Sequence, residues 1–258
     1  MTSQPASDGP RPRRRPVPDS LFGGRLRDAF LLDLEVVRTE DIAPHVRSLT
    51  VASSDLLEFE FVPGQDLMIE FPDGDHTVRR RYTIRRADPV AGTVDLEFEI
   101  HDGDGVAARW VADAGPGGHL DAIGPRGAIT LRSNATSHLF VADDSAMPAV
   151  FAMIEARPEG EAATVVLVTP HGAGSRPGPM TVGDTAVRWV EESQFAEALT
   201  DLGPPPPGAA AYVMGERGLV SRVADSLVAA GLDRLAIASK AYWRGDQPNA
   251  AHGEPARD

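Results

Sequence analysis

Arg79-Arg80-Arg81-Tyr82-Thr83-Ile84-Arg85-Arg86 places five arginines in a stretch that otherwise has the pattern of a β-strand, with Val78, Tyr82 and Ile84 on alternate positions. A core cannot bury five unpaired guanidinium groups, so the row meets either an anionic partner or solvent. Alternate residues of a strand share a face, which makes Arg80 and Tyr82 project together. A guanidinium can fork onto a pair of phosphate oxygens, and a tyrosine ring offers a flat apolar surface. Thr83 adds a hydroxyl and a backbone amide for the polar edge of a ligand. A surface strand carrying a solvated arginine row is the plainer alternative.

Short alternating strands surround this row. Leu32 to Val36 and His45 to Val51 alternate, and Pro63-Gly64-Gln65-Asp66 and Pro72-Asp73-Gly74-Asp75 are turns between further strands. Val94-Asp95-Leu96-Glu97-Phe98-Glu99-Ile100 is apolar on one face and acidic on the other, as in a half-buried strand. Strands at this spacing predict an antiparallel β-barrel ending near Leu131.

The second half changes period. His138 to Ala142 and Thr164 to Val168 are apolar strands, and a helix is expected from Ala146 to Ala156, entered through Asp144 or Ser145 with Pro148 in its first turn. Val187 to Val190, Ala211 to Met214 and Leu235 to Ala238 continue the strands. A helix from about Leu219 to Ala230 stops at Gly231. Strand alternating with helix predicts a parallel, doubly wound α/β sheet. The four prolines between Gly203 and Gly208 form a stiff surface loop. The expected division is a disordered tail over 1–30, the barrel over 31–133, the α/β domain over 134–245 and a second tail over 246–258.

The 258-residue length accommodates two domains with their own cores. The absence of cysteine excludes disulfides, thiolate catalysis and iron–sulfur clusters, so redox chemistry would need a bound organic cofactor. A net charge of −13 argues against nucleic acid or an anionic membrane as partner. The seven histidines lack metal-ligand spacing. No apolar run is long enough to span a bilayer, and the arginine run at 11–16 is followed by no apolar h-region, which disfavours a twin-arginine export signal. A cytoplasmic location is expected.

Three further stretches carry chemistry. In His101-Asp102-Gly103-Asp104-Gly105-Val106-Ala107-Ala108-Arg109-Trp110, glycines admit a ligand and a helix starting near Val106 would turn free amides to an anion such as a pyrophosphate; a glycine turn with Trp110 in the core is the alternative. Asp143-Asp144-Ser145-Ala146 lies where the first parallel strand ends, and Gly215-Glu216 where a later one does, both at the edge where such sheets bind ligands. Lys240-Ala241-Tyr242-Trp243-Arg244-Gly245 follows, with Lys240 the only lysine in the chain.

Arg80-x-Tyr82-Thr83-x-Arg85 resembles the flavin-binding strand of ferredoxin-reductase-like flavoproteins. The full series resembles the siderophore-interacting protein family of FAD-dependent ferric-siderophore reductases. Its markers are that strand, His101 with Gly105-x-Ala107 and Trp110, Gly124-Pro125-Arg126-Gly127, Asp143 to Ala149, Gly215-Glu216 and Tyr242-Trp243-Arg244. The likeness runs from about Leu32 to Gly245. It implies FAD with its ring near Tyr82 and Thr83 and its pyrophosphate near Arg80 and Gly105-Val106-Ala107, with Ile84, Arg85 and His101 also among the cofactor-binding residues. It implies NADH or NADPH docked against Asp144, Ser145, Ala146, Gly215 and Glu216, with Tyr242, Trp243 and Arg244 completing the cofactor site. Reduced ferredoxin is the alternative donor and partner. The substrate would be a ferric siderophore, met by a basic cluster drawn from Lys240, Arg244 and Arg86; an ordinary strand-end lysine is the alternative for Lys240.

This chain has Gly105-Val106-Ala107 where the family commonly has Gly-Pro-Ala, and Val213-Met214 where a tryptophan is usual, which leaves the choice of electron donor open. Two rivals stand beside the reductase: a flavin reductase with another acceptor, and a module that binds siderophore or flavin without turnover.

Overall fold

The computed structural model describes residues 31–57, 59–100, 105–170, 181–182 and 185–244. Both expected tails, and His101, lie outside the described residues.

Six strands close an antiparallel barrel in the order β1-β2-β5-β4-β3-β6: β1 Leu31–Ala43, β2 Val46–Ala52, β3 Asp66–Asp73, β4 His76–Asp88, β5 Thr93–Glu99 and β6 His119–Arg126. Period-2 patterning sends Leu32, Leu34 and Val36 of β1 and Val94, Leu96 and Phe98 of β5 inward, where they are essentially inaccessible. Helix α1, Val106–Asp113, packs Val111, with Val106 and Trp110, onto this core between β5 and β6.

The second unit is a six-stranded sheet, β12-β11-β7-β8-β10-β9, parallel except for the two-residue β9. Its strands are β7 Ser137–Asp143, β8 Ala162–Val168, β9 Thr181–Val182, β10 Thr185–Val190, β11 Ala209–Glu216 and β12 Ile237–Trp243. Helix α2, Met147–Glu155, lies in the apolar cluster of one sheet face with Phe140, Ala142, Tyr212 and Met214. Helices α3, Phe195–Asp201, and α4, Arg217–Ala229, join Leu139, Val141 and Val213 in the cluster of the other face. Alternate residues of β7 thus serve opposite faces, as a doubly wound sheet requires.

Several boundaries differ from expectation. The last barrel strand ends at Arg126, short of Leu131. The chain leaves β7 through a 3-10 turn, Asp144–Ala146, capped by Asp143, whose side chain accepts the Ser145 amide; α2 then begins on Met147 and Pro148. Leu235 lies in a 3-10 turn, 78% exposed, and β12 starts at Ile237. Helix α3 was not foreseen, because a seven-residue helix that buries only Phe195 and Ala198 has almost no periodic signal.

The two units meet along one seam. Helix α2 packs against β4, and the 3-10 turn after β7 meets β5, so the arginine strand faces the carboxyl-terminal edge of the parallel sheet.

Candidate functional site

The strand β4 splits its side chains between two surroundings. Tyr82 packs in a tilted arrangement on Phe98, ring centroids 4.2 Å apart, and edge-on to Phe71 at 5.9 Å. Arg80 is near enough for its charge to act on the Tyr82 hydroxyl; burial dominates and pushes that hydroxyl up to about 12, so Tyr82 stays neutral. Ile84 is fully buried in the barrel core and its amide donates to the Gln65 carbonyl at 3.0 Å, so neither its side chain nor its N–H faces a ligand. Thr83, on the opposite face, is buried close to the Tyr242 hydroxyl of β12, which itself donates to Met214 Sδ at 3.6 Å.

Most of the arginine row meets protein carboxylates instead of an outside anion. Arg79 Nε donates to Glu70 at 3.0 Å and Arg81 Nε to Asp66 at 2.8 Å. Arg85, expected among the cofactor-binding residues, is instead clamped through its two terminal nitrogens onto Glu155 of α2 at 2.7 and 2.6 Å, with its guanidinium 5.9 Å from the Phe151 ring centroid. Arg86 joins the same carboxylate at 3.1 Å. Arg80 donates to the Arg79 carbonyl at 2.8 Å and keeps its place beside Tyr82.

Helix α1 begins at Val106 with Gly105, which has no side chain to cap it, at the N-cap, and among the described residues no side-chain cap bond is made there. Gly105 and Val106 are accessible while Ala107 is buried. A helix start, an arginine on β4 and a neutral aromatic ring are groups of the kinds a flavin dinucleotide would use.

Across the seam the organising residue is Asp143, which the motif-based selection passed over in favour of Asp144 and Ser145. Its Oδ1 accepts from the Ser145 amide at 3.0 Å and the Ser145 hydroxyl at 2.6 Å. Its Oδ2 accepts from the Glu216 amide at 2.6 Å and the Trp243 indole at 2.9 Å. Burial raises its carboxyl above the usual range and these donors oppose the rise. Gly215 has φ +129°, and a Cβ there would overlap the Asp143 carboxylate, so only glycine lets β11 pass. Glu216 caps α4 by accepting from Leu219 N at 2.9 Å. Asp144 is buried and accepts from the Thr169 hydroxyl at 2.6 Å, and Ala146 is fully buried. Asp144, Ser145, Gly215, Glu216 and Trp243 are therefore brought together; their position at the end of β7 was the legible sign of Asp143.

Glu99, at the end of β5, faces this group from the barrel. Burial first, then the charges of Asp144 and Asp143, push its carboxyl up to about 7.

The expected basic cluster is arranged differently. Lys240 is 9% exposed and its ammonium lies 3.2 Å from Asp66, which Arg81 also binds, so it is a buried ion-pair partner and not a solvent-facing ligand for substrate. Arg86 is exposed but shared with Glu155, and Arg244 follows β12 half-buried. Nothing near Asp66, which follows an ordinary Pro63-Gly64 turn, marked it as the hub of this pair. Among the described residues no group of His, Asp and Glu is placed to hold a metal ion.

Two family models match the chain: siderophore-interacting protein over residues 135–246, and siderophore-interacting FAD-binding domain over residues 60–129. The NADPH-dependent ferric-chelate reductase of Escherichia coli is 26% identical over 183 residues, covering 68% of this chain and 70% of that protein. The ferric vibriobactin reductase ViuB of Vibrio cholerae is 28% identical over 254 residues, 86% of this chain and 92% of that protein. The crystal structure of a siderophore utilization protein from T. fusca superposes with a TM-score of 0.77 at 23% identity, over 86% of this chain and 95% of that one, which establishes the shared fold.

Proposed function

The chain belongs to the siderophore-interacting protein family, and from that premise we propose that it is an FAD-dependent ferric-siderophore reductase driven by NADH or NADPH. The observation that carries the proposal is the pair of residue groups on two joined units: Arg80 beside Tyr82 on β4 of the barrel, and Asp143 with Ser145 and Glu216 at the carboxyl edge of the parallel sheet.

Bound FAD supplies the chemistry of accepting a hydride as an electron pair and returning electrons one at a time. Arg80 would neutralise pyrophosphate charge together with the α1 amides at Val106 and Ala107. Tyr82, held neutral and braced by Phe98 and Phe71, would present its ring to the isoalloxazine. Thr83, buried close to the Tyr242 hydroxyl, would bring the flavin strand up to β12. Asp143 would hold Glu216 and Trp243 in place at the carboxyl edge of the sheet, where a nicotinamide dinucleotide would dock. One nicotinamide provides the electrons for two ferric chelates, and its oxidised form and a proton are released. Hard oxygen donors favour Fe(III), so reduction weakens the chelator's grip on the metal. A reduced ferredoxin in place of the nicotinamide would use the same seam.

The described residues include no helix long and apolar enough to cross a membrane, and we place the reaction in the cytoplasm, where nicotinamide donors are made. The test is an anaerobic visible spectrum of the purified protein with FAD. Bleaching of the flavin band by NADPH or NADH, reversed by a ferric siderophore, is expected. Bleaching only by reduced ferredoxin would move the donor. Bleaching by a nicotinamide that no ferric chelate reverses would point to another acceptor, and no flavin band would leave a binding module.

A further inference from the structure

A cleft of about 390 Å³ opens on the barrel between α1 and the carboxyl-terminal end of β3. Small-molecule sites are on the order of 300–1,000 Å³, so its size suits a ligand. Val106, Arg109, Trp110 and Asp113 line it, at the spacing that places residues on one face of a helix. Pro72 lines it from β3, and Arg109 lies 3.7 Å from Asp73 at the end of that strand, which joins helix to strand beside the cleft. The walls given by Pro72, Val106, Trp110 and Ala114 are apolar. Asp113 adds an exposed carboxylate that, among the described residues, has no hydrogen-bond or ion-pair partner.

The cleft is tied to the flavin strand. Phe71, next to Pro72, packs edge-on to Tyr82 at 5.9 Å and to Trp110 at 5.8 Å, so a single ring contacts both. Val106 is the first residue of α1, where the pyrophosphate is assigned, and also part of the cleft wall. From Val106 the helix face runs on to Asp113 with a rise of about 10 Å, room for a nucleoside beyond its phosphate. Every residue lining the cleft lies within the FAD-binding domain.

We propose that this cleft receives the adenosine half of FAD and so makes the protein select FAD over FMN, which has the same flavin ring but no adenosine. Pro72 and Trp110 would give the adenine an apolar wall, and Asp113 would accept from the ribose hydroxyls, as an acidic residue does for the ribose of a bound dinucleotide. This inference rests on the FAD-dependent reading above.

The test is equilibrium dialysis of the flavin-free full chain against FAD and against FMN, with the melting temperature as the check of folding. Wild type is expected to bind FAD about tenfold or more tighter than FMN. Gly115 lines the cleft without a positive φ, and a Cβ there meets nothing within 4 Å, so Gly115→Phe adds bulk at the cleft without a clash at its Cβ. It should weaken FAD about tenfold or more and leave FMN unchanged. Asp113→Ala should weaken FAD about three- to tenfold, with FMN again unchanged. Equal wild-type affinity for the two flavins overturns the proposal with no variant involved. Gly115→Phe weakening both flavins alike, or neither, overturns it as well. A raised KM for NADPH with FAD affinity intact would give the cleft to the donor's adenosine and overturn it too. If neither flavin binds, the reductase reading itself fails and this inference falls with it.

Discussion

Arg85 of the barrel strand β4 and Glu155 at the end of α2 are joined by two parallel hydrogen bonds of 2.7 and 2.6 Å, with the guanidinium 8% exposed. A planar fork on a carboxylate fixes orientation as well as distance, so this pair sets how the flavin-strand domain and the nucleotide-type sheet are held together. Arg85 Nε lies 3.4 Å from Glu97 without hydrogen-bond geometry, so Glu155 is its principal partner.

Glu155→Ala leaves Arg85 buried with its main partner gone. Loss of a partly buried pair predicts a destabilisation of about 2–4 kcal/mol. Urea unfolding followed by circular dichroism would measure it. A change below about 0.5 kcal/mol, the range of ordinary surface substitutions, would show that the clamp is dispensable.

The same pair and Glu99 predict opposite pH slopes. Burial raises the Glu155 carboxyl, but its bonds to Arg85 and Arg86 outweigh that and hold it at about 2, below its ordinary 4.5. Its contribution is present above pH 4.5 and is lost as pH falls toward 2. Glu99 is pushed the other way, from 4.5 to about 7, so the folded state holds its proton more tightly than the unfolded chain. Its contribution is full below pH 4.5 and is lost as pH rises to about 7. Melting temperatures across this range should show Glu155→Gln flattening the acidic limb and Glu99→Gln flattening the fall between 4.5 and 7.

Gly215→Ala forces a side chain into the space of the Asp143 carboxylate at a backbone φ of +129°. A cost of about 2–3 kcal/mol is expected from conformation and overlap together. The Asp143 bonds to Glu216 and Trp243 should be displaced with it. Stopped-flow bleaching by NADPH should slow by about tenfold or more while FAD is retained, since FAD is assigned to the barrel side of the seam. Equal loss of FAD would disprove that division of labour.

Arg80→Ala removes the cation beside Tyr82 without touching the barrel core. Loss of one charge-assisted bond to a pyrophosphate predicts FAD affinity falling by about 10- to 100-fold, read by equilibrium dialysis. The melting temperature of the FAD-free protein should hardly move. Unchanged affinity would remove Arg80 from the cofactor site.

Asp143→Asn keeps the volume but replaces one acceptor oxygen by an amide that cannot accept from both Glu216 N and Trp243 Nε1. Trp243 fluorescence should shift to the red as its indole gains water, and the KM for NADPH should rise. An unchanged emission spectrum would mean that the indole bond is not maintained in solution.

The backbone architecture was legible because it depends on local pattern. Period-2 alternation in Leu32 to Val36 and Val94 to Ile100, the Pro63-Gly64 turn, and apolar strands alternating with helices each state their structure within a few residues. Position at the end of β7 likewise marks Asp144 to Ala146 as candidates, while the central role of Asp143 depends on contacts from β11 and β12.

Charge pairing was not legible, because Coulombic and hydrogen-bond partners are chosen by proximity in space. Arg85 finds Glu155 70 residues away and Lys240 finds Asp66 across 174. The sequence alone determined that β4 carries five arginines in a strand and that a low-dielectric interior could not hold them unpaired. Only the tertiary structure decided that Arg79, Arg81, Arg85 and Arg86 bond to the protein's own carboxylates and that Arg80 stands beside Tyr82. The physical reason is desolvation: once folding removes water from the seam, each buried guanidinium takes the nearest carboxylate the fold presents.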